Sequence, residues 1–152
     1  MPPKAAFEER PAGSRVNTSR RGEEMEGRGK RNFVFPFEKL EVWQLAVDLA
    51  DFVLGLLESM PPNKYVRVIG QAQAAVTSVA QNIAEGKGRQ YKKEFIQFLY
   101  ISEGSLFELL TLVEVLHRRG LIVDDTVVII REKAENLDRK IHGLIRSLKK
   151  RS

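Results

Sequence analysis

Ser78-Val79-Ala80-Gln81-Asn82-Ile83-Ala84-Glu85-Gly86-Lys87-Gly88-Arg89 is the stretch from which the fold of this chain reads outward. Val76, Val79 and Ile83 fall on one face at helical spacing, with Ala72, Ala75, Ala80 and Ala84 close by. Small side chains there let a neighbouring helix approach closely. Gly86 is expected at the C-terminal stop, in the left-handed conformation that glycine alone adopts without steric cost. Lys87, Gly88 and Arg89 then make a short basic loop, and Lys92, Lys93, Glu94 and Phe95 open the next long helix.

Upstream, a first helix is expected over about 38–60. Leu40, Trp43, Val47, Ala50, Leu54 and Leu57 form one apolar stripe, and Val42, Ala46, Leu49, Val53, Leu56 and Met60 form a second beside it. Two stripes make a wider face than one partner helix requires, which points to surface buried between subunits. Pro61-Pro62 stops this helix. The second helix is expected over 64–85, with Ile69, Ala72, Val76, Val79 and Ile83 at its seam. The third is expected over 91–119, with Phe95, Phe98, Leu99, Leu106, Leu109, Val113 and Leu116 inward and Gly120 at its end. Ser102, Gly104 and Ser105 make a small-residue patch at its middle. The fourth is expected over 124–150, capped by Asp124 and carrying Val127, Ile130, Ala134, Leu137, Ile141, Leu144 and Leu148 inward. The β-branched run at its start has no strand partner, and the helical period continues through it. Four such helices, each about 30 Å or longer at 1.5 Å per residue, predict an all-α, antiparallel up-down four-helix bundle.

The 152 residues make one domain, a bundle over 33–152. Residues 1–32 hold few large apolar side chains and are expected to be a disordered basic arm. Met25 lies inside that arm, just before the first periodic stretch, and is an alternative start to Met1. The chain has no cysteine, which excludes disulfides, thiolate metal sites and cysteine nucleophiles. Neither a secretory signal nor an apolar run of spanning length is present, so the default expectation is cytoplasmic, with no membrane association. Formal charge is +5. Beyond Asp138 there are only cations: Arg139, Lys140, Arg146, Lys149, Lys150 and Arg151. Basic ends attract polyanions, nucleic acid above all, although the same cations suit a solvated helix C-terminus.

Leu40, Val42-Trp43-Gln44 and Ala46 recur as a motif in the first helix. Ala74-Ala75-Val76, Ser78, Asn82-Ile83-Ala84-Glu85-Gly86 and Gly88-Arg89 follow in the second, and Lys93-Glu94-Phe95, Phe98-Leu99, Gly104-Ser105-Leu106 and Glu108-Leu109 in the third. In this order, over roughly 37–150, the chain resembles the four-helix-bundle proteins encoded in intervening sequences of bacterial 23S rRNA genes. The resemblance implies a homo-oligomer, a pentamer in the known arrangement. That family is in turn similar in fold to the accessory variability protein of diversity-generating retroelements, which binds a reverse transcriptase and nucleic acid. The signature residues it marks are Trp43, Asn82, Glu85, Gly86, Arg89, Gly104 and Glu108. Where the family carries arginines ahead of Ala74-Ala75, this chain has Gln71-Ala72-Gln73. An RNA contact is thereby directed away from the second helix.

The chemistry follows from what is present. Glu114 and His117 have the Glu-x-x-His spacing of di-iron bundles, and His142 follows Asp138 by four, but the remaining ligands of such a site are missing. No metal or cofactor is therefore expected. Gly86-Lys87-Gly88-Arg89 follows a helix and lacks phosphate-loop spacing; it reads as a helix end with a basic loop that offers at most a weak anion contact. Asn82, Glu85, Arg89 and Glu108 suit an interhelical polar network, with Arg89 pairing to Glu85 or Glu94. No nucleophile, base and orienting group fall together, so an enzyme reading has no motif behind it. The candidate nucleic-acid contacts are Lys87, Arg89, Lys92, Lys93, Arg139, Lys140, Arg146, Lys149, Lys150 and Arg151, all suited to phosphate rather than base readout. The resulting expectation is a non-enzymatic oligomer that binds RNA or a ribonucleoprotein through basic termini. Two alternatives stay open: an accessory subunit of a reverse transcriptase in a diversity-generating retroelement, and a purely structural oligomer with no nucleic-acid role.

Overall fold

Pro36 has no backbone N–H, so it suits the first turn of a helix and little else. In the computed structural model, which describes residues 33–151, Pro36–Lys39 forms one 3₁₀ turn. The Glu38 carboxylate accepts the Phe35 N–H at 3.1 Å, closing the turn. Leu40 then takes an extended conformation and separates this turn from α1, Glu41–Glu58. The first helix is thus three residues shorter at its start than the apolar pattern predicts, because Pro36 and Glu38 build a local turn of their own. The expectations for residues 1–32, including the alternative start at Met25, lie outside the described residues.

The remaining helices are α2, Val66–Lys87, α3, Lys92–Arg118, and α4, Asp124–Lys150. Short loops join them head to tail. Contacts run α1–α2, α2–α3, α3–α4 and α4–α1, which is the closed order of an antiparallel up-down bundle. No strand occurs among the described residues, and no helix among them is long and apolar enough to cross a membrane.

Most of the predicted core is buried. Leu49, Leu99, Leu106, Leu109, Leu116 and Leu137 have almost no exposure, and each such side chain contributes about 1.5–3 kcal/mol by leaving water. Ile145 joins them, although the three-four alternation had selected Leu144 and Leu148, which are half-buried. On α1 the second stripe faces the core. The first is largely taken up within the chain: Ala50 and Leu57 are buried, Trp43 lies edge-on to Phe37 at 5.1 Å between ring centroids, and Val47 is exposed.

The α2–α3 pair is the most intimate. Ala72, Ala75 and Ala80 are buried between larger neighbours. The fully buried Ser102 hydroxyl donates to the Val79 carbonyl at 2.8 Å. Gly86 departs from its expected role. It is a buried residue inside α2, and among the described residues only Gly120 is a glycine with positive φ. A Cβ on Gly86 would stand 2.5 Å from Phe98 Cβ and 3.0 Å from Phe95 Cδ2. Close approach of α3, not a left-handed turn, is what requires glycine there. α2 therefore runs two residues past its predicted end and stops at Gly88, whose N–H reaches the carbonyls of Ala84 and Glu85 at 3.2 Å. Gly120 does take the left-handed conformation, at φ +76°. Its N–H donates to His117 O at 2.9 Å, and Leu121 N–H donates to Leu116 O at 3.0 Å, the paired bonds of a glycine-terminated helix.

At the start of α4, Val123 is the capping residue, without a side-chain cap, and Asp124 is the first helical residue. Asp124 instead meets His117 Nε2 at 2.5 Å through Oδ1. Asp124 and Asp125 still favour this end, because carboxylates in a first helical turn offset its partial positive charge.

Candidate nucleic-acid interface

Antiparallel order has a direct consequence for charge. The end of α2, the start of α3 and the end of α4 lie at the same end of the bundle. Register confirms the placement: Glu103 on α3 meets His142 on α4, which sets Lys149 and Lys150 level with the start of α3. Lys149 Nζ donates to the Tyr100 hydroxyl at 3.3 Å. This end therefore holds Lys39, Lys87, Arg89, Lys92, Lys93, Arg146, Lys149, Lys150 and Arg151 against Glu38, Glu85 and Glu94. The opposite end is balanced: Lys64, Arg67, Arg118 and Arg119 against Glu58, Glu114, Asp124 and Asp125.

The cations of the loop are held on apolar supports. Arg89 lies over the Phe98 ring at 4.7 Å and pairs with Glu85 at 3.0 Å. Lys87 lies over the Phe95 ring at 5.7 Å. Exposed cation–π contacts of this kind contribute about 0.5–1 kcal/mol, enough to bias a side chain while its charged head stays in water. Lys92 and Lys93 occupy the exposed first turn of α3. Tyr91 precedes them without a side-chain cap, so no Tyr91 side-chain oxygen caps the first N–H groups of α3, although the Glu94 N–H reaches the Tyr91 carbonyl at 3.1 Å. Backbone donors, a helix N-terminus and several cations together suit phosphate oxygens.

Two of the sequence-selected cations sit elsewhere. Arg139 donates to the Asn136 side chain at 3.3 Å, and Lys140 pairs with Glu41 at the start of α1. They flank a groove with Leu40, Val42 and Leu144, about three turns before the end of α4.

Apart from Trp43 on α1, the signature residues lie on the two helices that carry the loop, or in the loop itself. Asn82 donates to the Ser78 carbonyl at 2.8 Å and to the Ser78 hydroxyl at 2.9 Å, and Ser78 meets Ser105 of α3 at 2.9 Å. This network and Gly86 hold α2 against α3 and so fix the loop. Trp43 packs on Phe37 of the 3₁₀ turn. Glu108 and Gly104 are exposed on α3, outside the network. The partner of Asn82 is the Ser78–Ser105 pair rather than Glu108, a result of the helix register that spacing within one helix does not encode.

At the balanced end, Glu114 meets Arg118 at 2.9 Å and His117 Nδ1 at 3.8 Å. Arg118 holds the Glu114 carboxyl below its ordinary range. Glu103, which sequence reasoning missed, stands between α3 and α4 with Asp138 and His142. Only the fold brings it to the Asp138–His142 pair that the spacing had marked.

The family model described as 23S rRNA-intervening sequence protein matches residues 38–143. No curated protein matches the chain. Among solved structures, this chain is similar to a protein of unknown function from the S23 ribosomal protein family of Bacteroides thetaiotaomicron VPI-5482. The TM-score is 0.63 at 21% identity, over 68% of this chain and 97% of that one. At that identity the likeness is one of fold.

Proposed function

The chain belongs to the 23S rRNA-intervening sequence protein family, and on that premise we propose that it is a non-enzymatic cytoplasmic protein. It binds RNA, free or in a ribonucleoprotein, through the basic end of its bundle. The observation that carries this reading is the convergence of Lys87, Arg89, Lys92 and Lys93 with Arg146, Lys149, Lys150 and Arg151 at one end, while the other end is balanced. Phosphate contacts of this type give affinity with little sequence information.

The protein acts as a homo-oligomer, a ring of five copies being the arrangement the family resemblance implies. The face of α3 that carries Ile101, Phe107 and Val115, each at least 42% exposed, supports assembly. Gly104 lies within this face, and a Cβ built on it meets nothing within 4 Å among the described residues beyond its own helical turn. A mid-helix glycine costs about 1 kcal/mol relative to alanine, and close approach of a second helix gives that cost a purpose. A ring would present several copies of the basic end together and multiply their field.

The test is binding of a labelled single-stranded RNA to the full chain and to a variant with Lys92→Glu, Lys93→Glu, Lys149→Glu and Lys150→Glu. Loss of binding in a folded variant supports the reading. Equal binding by both overturns it. Co-purification with a reverse transcriptase and no RNA affinity would favour the accessory-subunit alternative, and neither partner would favour a purely structural oligomer.

A further inference from the structure

Glu103 of α3 and Asp138 and His142 of α4 place one ligand-type atom each within 4.8 Å of one another. His142 Nε2 stands against Glu103 Oε2 and lies 3.9 Å from Asp138 Oδ1. The Glu103 side chain is only 13% exposed. Glu103 Oε2 and Asp138 Oδ1 are both shielded from solvent, and the one imidazole nitrogen that reaches Glu103 Oε2 stays 3.9 Å from Asp138 Oδ1.

This arrangement is unbalanced as it stands. Two ionised carboxylates beside one imidazole carry a net negative charge whether or not the imidazole is protonated, and a single imidazole nitrogen cannot serve both shielded oxygens, which is costly. Burial pushes the Glu103 carboxyl above its ordinary value, Asp138 beside it adds to the rise, and His142 opposes it. Either a proton or a cation must occupy the space between these groups.

We infer that Glu103, Asp138 and His142 form a binding site for one divalent transition-metal ion, of the Zn²⁺ or Co²⁺ class, bridging α3 and α4. An imidazole with two carboxylates suits this class and is a poor match for Mg²⁺ or Ca²⁺, which take oxygen ligands. The i, i+4 spacing of Asp138 and His142 puts both on one face of α4, and Glu103 completes the set from the facing helix. Three protein ligands leave at least one coordination position for water. The ion would pin the C-terminal half of α4, which carries the basic residues, to α3. The second histidine cluster lacks this convergence: Glu114 is committed to Arg118, and Asp124 is 89% exposed.

The experiment uses the full chain without an affinity-tag histidine run, titrated with Co²⁺ at pH 7.5 and followed by visible absorption, with Zn²⁺ as competitor. The expected result is saturation at one ion per chain, with bands displaced by Zn²⁺. Affinity falls more than about tenfold in Glu103→Gln and in His142→Gln; His117→Gln binds as the wild type does. Binding also weakens as the pH is lowered, because protons compete with the metal for its ligands. Circular dichroism confirms that the variants fold, and the wild-type titration stands alone if one does not. Absence of saturable bands at tenfold excess metal overturns the assignment and leaves a shared proton in the site. Equal affinity in wild type, Glu103→Gln and His142→Gln overturns it too, because the ion then binds elsewhere.

Discussion

Replacing Gly86 by alanine separates two explanations of why glycine stands there. Gly86 lies inside α2 with an ordinary helical backbone, and alanine is the better helix former by about 1 kcal/mol. With propensity alone at work, Gly86→Ala would stabilise the protein. The packing says otherwise: the new methyl would meet Phe98 Cβ at 2.5 Å. That atom is the root of the side chain and moves only with the α3 backbone. Forcing α2 and α3 apart costs about 1–3 kcal/mol or more, which outweighs the propensity gain. The expected net loss is up to about 2 kcal/mol, or up to roughly 8 °C in Tm for a domain of this size. Gly55 and Gly70, where a built Cβ meets nothing within 4 Å, are the internal controls. Gly55→Ala and Gly70→Ala are each expected to gain about 0.5–1 kcal/mol. Phe98→Ala does not rescue Gly86→Ala, since the offending Cβ remains. Urea titration of the four variants measures all of this. A Gly86→Ala protein as stable as Gly70→Ala would refute the close approach of α2 and α3.

Other perturbations read other parts of the structure. Ser102→Ala removes the buried hydroxyl that bonds Val79 O and should cost about 1 kcal/mol by urea titration. Arg89→Ala should cost under about 1 kcal/mol in stability, because its pair with Glu85 is exposed; RNA affinity is expected to fall more visibly. In metal-free buffer, Glu103 contributes a pH dependence. Its folded-state pKa is raised above 4.5, mainly by burial. The folded state therefore holds the proton more tightly, and stability falls as pH rises from about 4.5 through the folded pKa. Glu103→Gln removes this contribution to the fall. Thermal melts of both proteins from pH 4 to pH 8 check the difference.

The bundle was legible because its information is periodic. The apolar alternation in α2, α3 and α4 marks core positions directly, and Gly120 ends α3 as a glycine stop should. Three features were not legible, for physical reasons. Gly86 looks identical in sequence whether it serves a left-handed turn or a close helix contact; only the position of Phe98 decides. The 3₁₀ turn competes with the start of α1 through local bonds, among them Phe35 N–H to the Glu38 carboxylate and Glu38 N–H to Phe35 O, which an apolar pattern does not register. Glu103 meets His142 across two helices, and its neighbours in sequence give no sign of it. The basic end shows both sides. The cations are plain in the sequence, but the separation of Arg139 and Lys140 from the rest follows from the length of α4 and from Glu41.

The central claim is that one end of the bundle binds RNA phosphates, and the salt dependence of binding tests it most directly. Affinity of the full chain for a single-stranded RNA should fall log-linearly with salt, with a slope near −0.7 per phosphate contacted. Neutralising Lys92, Lys93, Lys149 and Lys150 to glutamine should flatten that slope by about two to three units. Neutralising Lys64 and Arg67 at the balanced end should leave it unchanged. Equal slopes for the two variants, or a slope near zero for the wild type, would contradict the account.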